Sequence, residues 1–598
     1  LSRLVKILPR PTVQLYETAS WWATNRSVVQ ASQWLAEIET AIQGLADTAP
    51  RHPLAREADA FDFPVHQMNF GVSNKPTHRI LYSFDDAHVL ASSRLRNSSS
   101  FPIGLVARRN RIVSSPPSAL DIRKHNMRLT RHATFVRCVF TAVFMSLSVG
   151  SFSMGAAPTK LNVLLLMADD LRDFGGAFTR DTVKTPNLDR LRARGVTFER
   201  AYVQYPVCNP SRSSLLTGLR AEQTGIVGNN ERLRQRMPDV VTLPQLCKEH
   251  GWRTASFGKI FHLGGGKNLE AKQQWMDLGK SWHEAHAFEP TALGRKMIDG
   301  RNVTGGELNW CQWGAADGTD DDQPDGQIAS ATVAMIDKLG DQPWFIGCGF
   351  MKPHDPFIAP KKYFEQYPLA KIKVWRDPSD TTPAPTQSIG FGAYGESFAK
   401  FTDPEWRELL RAYCAGTSFM DAQLGRVLDA LDKHKLWDKT IVIFVGDHGY
   451  HTGERQWWNK NTLFERSCRA PLIIAAPGAK GGQVSRSIVE FVDLVPTVAE
   501  LCGLTAPHTM AGRSLTPILA SPLAKIKDEA FTLVTRSPKL FGQSVRTERW
   551  RFTQWSDGAQ ELYDHDKDPE ENHNVATVNP VVADELSSRL KTLPLLGP

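Results

Sequence analysis

Residues 161–168, Leu-Asn-Val-Leu-Leu-Leu-Met-Ala, form an apolar run that stops abruptly at Asp169-Asp170. A run of this length without polar alternation predicts a strand buried on both faces, the habit of a parallel sheet covered by helices. Similar runs recur at residues 343–350, 440–445 and 471–476, and residues 195–203 read as a further strand. Helical patterns lie between them, such as residues 406–431, and Pro186 suits the first turn of a helix. The alternation predicts an α/β fold: a large, mainly parallel sheet sandwiched by helices, with a functional site at the strand C-termini. Residues 530–535, 543–549, 549–555 and 561–563 change the pattern to short alternating strands and predict a small antiparallel sheet. We expect the main body over 158–525 and a C-terminal α+β subdomain over 526–598.

The formal charge of +8 at first suggests an acidic partner. The basic excess lies before residue 158, however, and acids balance bases beyond it, so no nucleic-acid partner is expected. Met127 opens a positive segment, residues 138–150 (CVFTAVFMSLSVG) are apolar, and residues 153–157 (SMGAA) are small. This predicts a secretory signal peptide over 127–157, with export to the periplasm or outside if the host is bacterial. The apolar stretch is too short to cross a bilayer, so no stable membrane span is expected. Residues 1–126 read as an over-extended coding start or a disordered extension. Of the eight cysteines, Cys138 would leave with the signal and Cys208 stands apart for the reason below. An exported protein could pair some of the other six, and spacing leaves the pairing open. No CxxC zinc pattern is present.

Residues 208–218, CNPSRSSLLTG, read C-x-P-S-R-x-x-x-L-T-G. This resembles the signature of the type I sulfatases. Three further features point to the iduronate-2-sulfatase-like branch of that family. Gly258-Lys-Ile-Phe-His262 spaces Lys and His three apart, and a K-P-H-x-P-F loop (352–357) and an Asp447-His448-Gly449 triplet follow. The likeness runs from about residue 162 to 572, ending in an ELYD-x-x-x-DP-x-E-x-x-N pattern. It implies an alkaline-phosphatase-like sulfatase fold and oxidation of Cys208 to formylglycine by a formylglycine-generating enzyme. One hydroxyl of the hydrated aldehyde would attack sulfur, and the other would collapse back to the aldehyde and expel sulfate.

The residues themselves support a site. Asp169, Asp170, Asp447 and His448 lie at the ends of two apolar strands and are suited to converge on one cation. Oxygen-rich ligation favours Ca2+ over zinc, with Mg2+ the alternative. Residues 211–216 should continue a helix with Cys208 at its N-terminus, where free N–H groups favour an anion. Arg212 falls one turn along the same face. By resemblance, Asp169, Asp170, Cys208, Asp447 and His448 would bind the metal. Arg212 and His262 would hold the formylglycine hydrate, and Lys259, His354 and Lys460 would bind sulfate, with His354 protonating the leaving oxygen.

The expected partner is a sulfated saccharide, a 2-O-sulfated uronate by resemblance. Trp457-Trp458 would stack on a sugar face, and Lys361-Lys362 or Arg455 would meet its carboxylate. The balanced body offers no broad basic track, so an exo-acting enzyme with a pocket is expected over an endo-acting one. The alternatives are a phosphonate or phosphate ester hydrolase of the same superfamily and a non-catalytic carbohydrate-binding relative.

Overall fold

The structure, a computed structural model, describes residues 160–594 except 177, 265–267, 390 and 391, together with short segments before residue 96. The expected signal peptide over 127–157 and its Cys138 lie outside the described residues. Contacts divide the chain into two units, Leu1–Leu147 and Ser148–Pro598. In the first unit, Leu4–Ile7, His88–Leu95, His78–Phe84 and His66–Phe70 form a four-stranded sheet in that spatial order.

The second unit is built on an eight-stranded sheet. Its strands are β1 (Asn162–Asp169), β2 (Val196–Tyr202), β3 (Arg253–Gly258), β4 (Glu284–His286), β5 (Trp344–Pro353), β6 (Thr440–Gly446), β7 (Leu472–Ala475) and β8 (Gln483–Glu490). The spatial order is β8-β2-β7-β6-β1-β5-β3-β4. Only β7 runs against the others, pairing antiparallel with both β2 and β6. Residues 471–476, read as one more parallel strand, are thus an antiparallel insert. A strand buried on both faces carries no mark of its direction.

β1 shows how the sheet is sandwiched. Leu164, Leu166 and Ala168 join one buried cluster, while Val163, Leu165 and Met167 join another on the opposite face, as period-two side chains must. The first face is covered by α1 (Pro186–Arg194), α3 (Pro324–Leu339) and the long α4 (Asp403–Lys433). The second is covered by α2 (Cys208–Thr217) and α5 (Leu494–Leu501). β1 lies centrally between β5 and β6, so all three deliver their C-terminal ends to one place.

The smaller sheet follows: β9 (Ala530–Thr535), β10 (Phe541–Arg546), β11 (Trp550–Trp555) and β12 (Gln560–Asp564), all antiparallel neighbours. It docks beside the end of β2, where the Leu533 N–H reaches the Gln204 carbonyl at 2.9 Å and the Thr532 hydroxyl reaches Val203 O at 2.7 Å. The seven described cysteines are all free thiols. Of the six whose pairing the sequence leaves open, Cys348, Cys414 and Cys468 sit on separate elements, each buried as a small apolar side chain.

Candidate active site

The strand ends place the acids. Asp169 ends β1 and is fully buried; Asp170 follows with φ +61°, a left-handed conformation that turns its carboxylate back over the sheet. Asp447 and His448 follow β6, and the Asp170 N–H donates to Asp447 Oδ1 at 2.9 Å. Cys208 opens α2 at the positive end of the helix dipole, while the Asn209 N–H is taken by Asn229 Oδ1 and Pro210 has no N–H to offer.

Arg212, one turn along α2, ties these strands together. Its Nε donates to Asp447 Oδ2 at 3.0 Å and one terminal nitrogen to Asp169 Oδ1 at 3.1 Å. Its other terminal nitrogen donates to the carbonyls of Lys259 and Ile260. Lys259 and Ile260 cross tightly over β5, where a Cβ on Gly349 would overlap the Lys259 backbone. Gly349 is therefore glycine for close approach.

The remaining predicted residues close the ring. Lys259 pairs with Asp169, and Lys460 pairs with Asp170. The thiol of Cys208 lies 3.4 Å from Lys460 Nζ, 3.4 Å from His448 Nε2 and 3.9 Å from Asp170 Oδ1. His262 lies close to it. His354 Nε2 lies 3.9 Å and 3.8 Å from the carboxylates of Asp169 and Asp170, while its Nδ1 donates to Asp355 O at 2.5 Å. All ten residues singled out in the sequence thus meet in one cluster.

The charges are strongly coupled. Burial opposes ionisation of Asp169, but Lys259 and its neighbours outweigh it and hold the carboxyl well below its usual range. Burial likewise opposes the Cys208 thiolate, yet Lys259, Lys460 and His448 lower its pKa well below an ordinary thiol. Burial raises Asp447 to about 7, only partly offset by His448 and Arg212. Burial works against charge on His354, but Asp170 and Asp355 override it and raise the imidazole to about 10.

One expectation about substrate contacts fails. Trp457 and Trp458 are 2% and 0% exposed, so they are core and not a sugar platform. Trp458 packs against Phe357, Trp406, Tyr413 and Tyr450, filling the space beneath α4. The two terminal nitrogens of Arg455 are taken by the carbonyls of Thr382 and Glu571 and by Tyr563 OH. Lys361 and Lys362 are exposed and pair with Glu365 at 3.7 Å and with Asp320 at 2.8 Å.

Sequence reasoning missed the supports. Tyr413 bonds Asp170, the Ser211 hydroxyl donates to Asp447 O, and Asp325 accepts the N–H groups of Met351 and Lys352 at 2.7 and 3.0 Å. The Ser in C-x-P-S-R was itself a signal for Ser211. Tyr413 and Asp325 carry no motif.

An eight-stranded, helix-covered sheet with these residues at its strand ends defines an alkaline-phosphatase-like ester hydrolase of the sulfatase type. Residues 161–504 match the family model described as Sulfatase, and residues 453–594 match N-sulphoglucosamine sulphohydrolase, C-terminal. A sulfatase of Formosa agariphila is 32% identical over 70% of this chain and 83% of its own. Human iduronate 2-sulfatase is 29% identical over 69% of this chain and 91% of its own. The phosphonate monoester hydrolase of Silicibacter pomeroyi shares the fold, with TM-score 0.62 and 24% identity over 72% of this chain and 94% of its own. The chain belongs to the sulfatase family and is a sulfuric ester hydrolase.

Proposed function

We propose that this protein is an exported, exo-acting sulfatase that removes the 2-O-sulfate of uronate residues in sulfated saccharides. Its catalytic body spans 158–525 and its C-terminal subdomain 526–598; residues 127–157 direct export, and residues 1–126 are an over-extended coding start or N-terminal extension. A formylglycine-generating enzyme matures Cys208. The observation that carries the reading is the Cys208 thiol at the start of α2, 3.4 Å from both Lys460 Nζ and His448 Nε2.

The donor set fits a divalent cation. Asp170 Oδ2 is buried without a hydrogen-bond partner, and a buried carboxylate oxygen left in that state is costly. Asp169, Asp170, residue 208, Asp447 and His448 would hold the ion, Ca2+ by its oxygen-rich ligands or else Mg2+. Bound there, it would supply positive charge for a sulfate oxygen and acidify the nucleophile. Formylglycine at position 208 would supply a hydrated aldehyde as nucleophile.

The chain's own side chains do the rest. Lys259, Lys460 and His354 surround the sulfate position with positive charge, which strengthens as charge develops on the oxygens. His354 donates Nδ1–H to Asp355 O, which leaves Nε2 to protonate the departing sugar oxygen. Arg212 holds Asp169 and Asp447 in place, and His262 orients residue 208.

The test is sulfate release from 2-O-sulfated uronate disaccharides by protein co-expressed with a maturation enzyme, beside Cys208→Ala. Release that the substitution abolishes supports the reading. Release of phosphonate but not sulfate from matched esters favours the phosphonate hydrolase alternative.

A further inference from the structure

A cavity of about 190 Å³ is lined by Asn209, the residue that follows Cys208, and by His262. Its inner wall is Asn209, Phe261 and His262, and its outer wall includes Arg232, Gln274 and Trp275. Asn209 is the chain neighbour of Cys208 and His262 lies close to the thiol, so the cavity borders on the residues that surround the reacting group.

Arg232 is the unusual member. Its guanidinium lies 5.0 Å over the Trp275 ring, and no carboxylate pairs with it among the described residues. Arg234, two positions on, is by contrast fully used: its Nε and a terminal nitrogen grip Asp277 at 2.8 and 2.6 Å, and Gln245 takes a third bond. A half-buried guanidinium on an aromatic face, without a counter-ion and facing a cavity, is suited to a planar anion that it can grip through two parallel N–H bonds.

The platform is held in register with the site. Asn209 Nδ2 donates to the carbonyls of Gly228 and Glu231 at 2.9 and 2.7 Å, and its N–H donates to Asn229 Oδ1 at 3.1 Å. The segment leading into Arg232 is thus fastened to the first turn of α2. Trp275 lies edge-on to His262 at 5.8 Å and flush against Gly264, whose φ of +63° and missing Cβ admit the ring. A continuous path of contacts therefore runs from Cys208 through His262 and Trp275 to Arg232.

We propose that Arg232, stacked on Trp275, binds the carboxylate of the sugar whose sulfate ester is cleaved and sets the preference for acidic over neutral esters. The inference rests on the saccharide sulfatase reading above. It separates two anions: sulfate lies among Lys259, Lys460 and His354, and carboxylate lies on Arg232. It also replaces the sequence-based candidates Lys361, Lys362 and Arg455, which have partners of their own.

The test compares matured wild-type enzyme with Arg232→Gln on a 2-O-sulfated uronate disaccharide, its carboxyl methyl ester, a carboxyl-reduced analogue carrying a second sulfate, and an aryl sulfate. The expected result is a fall of about tenfold to a hundredfold in the kcat/KM ratio of free acid over methyl ester, mostly through KM, the loss of one charge-assisted bond pair. Arg232→Lys should recover part of it. An unchanged ratio, or equal losses on acid and ester, overturns the proposal. A selective loss on the disulfated analogue overturns the carboxylate in favour of a second sulfate. Wild-type enzyme that cleaves aryl sulfate but no uronate disaccharide overturns the saccharide reading itself, a different outcome from indifference to Arg232.

Discussion

The Tyr413 hydroxyl donates to the carbonyl oxygen of Asp170 at 2.5 Å, and the hydroxyl oxygen itself accepts the Arg172 N–H at 3.1 Å. The middle of α4 thereby clamps both sides of a residue held at φ +61°. A non-glycine residue in that region persists only when its surroundings over-determine it. The relationship links a helix on one face of the sheet to the orientation of a metal-type carboxylate.

Tyr413→Phe keeps the ring and removes the clamp. Two buried backbone groups lose their partner, so we expect a loss of about 1–3 kcal/mol in stability. Activity should fall further than stability accounts for, and should be partly restored by raising the Ca2+ concentration. Urea unfolding and a metal titration of activity check this; a variant with unchanged metal dependence contradicts the clamp.

Lys352 is a positioning residue for His354. Its ammonium donates to the carbonyls of His354 and Pro356 at 2.8 and 2.7 Å, bracing the loop from inside. Lys352→Met should lower kcat by about tenfold, the usual scale for a lost orienting partner, while KM changes little. The alkaline limb of the kcat profile should also shift, because that limb reports the proton on His354. A loss in KM alone would argue against the assignment.

Acid stability should carry a signature of Asp173. Burial opposes its charge, but Arg466, Arg469 and Arg172 outweigh burial and lower it to about 2. The folded pKa lies below the unfolded value, so the contribution is fully present above about pH 4 and is lost as pH falls toward 2. Its size is about 2 kcal/mol. Denaturant midpoints should separate wild type from Asp173→Asn at pH 6 and draw together as pH falls through about 2. A constant gap would show that the carboxylate charge is not what stabilises this corner.

Much of the site is legible in the sequence because its chemistry sits where patterns break. Apolar runs stop at Asp169 and close to Asp447, and the C-x-P-S-R segment fixes Cys208, Ser211 and Arg212 on one helical turn. The sheet and its covering helices follow from the same runs. What is illegible depends on tertiary neighbours. Trp457-Trp458 beside Lys460 looks like a binding platform, yet the short hairpin His451–Thr452 with Trp458–Asn459 packs Trp458 into the core and Lys460 at the site. Tyr413 lies mid-helix among other buried residues, where nothing local distinguishes a clamp from packing. Arg232 and Trp275 are far apart in sequence and meet only through the fold.

The central claim is that residue 208, as formylglycine, is the nucleophile of a sulfate ester hydrolase. The most direct measurement is the mass of the peptide containing residue 208 across preparations matured to different extents, set against sulfate release by each. The account predicts turnover proportional to the formylglycine fraction, extrapolating to zero where the cysteine is unmodified. Turnover independent of that fraction, or retained by Cys208→Ala, would contradict it.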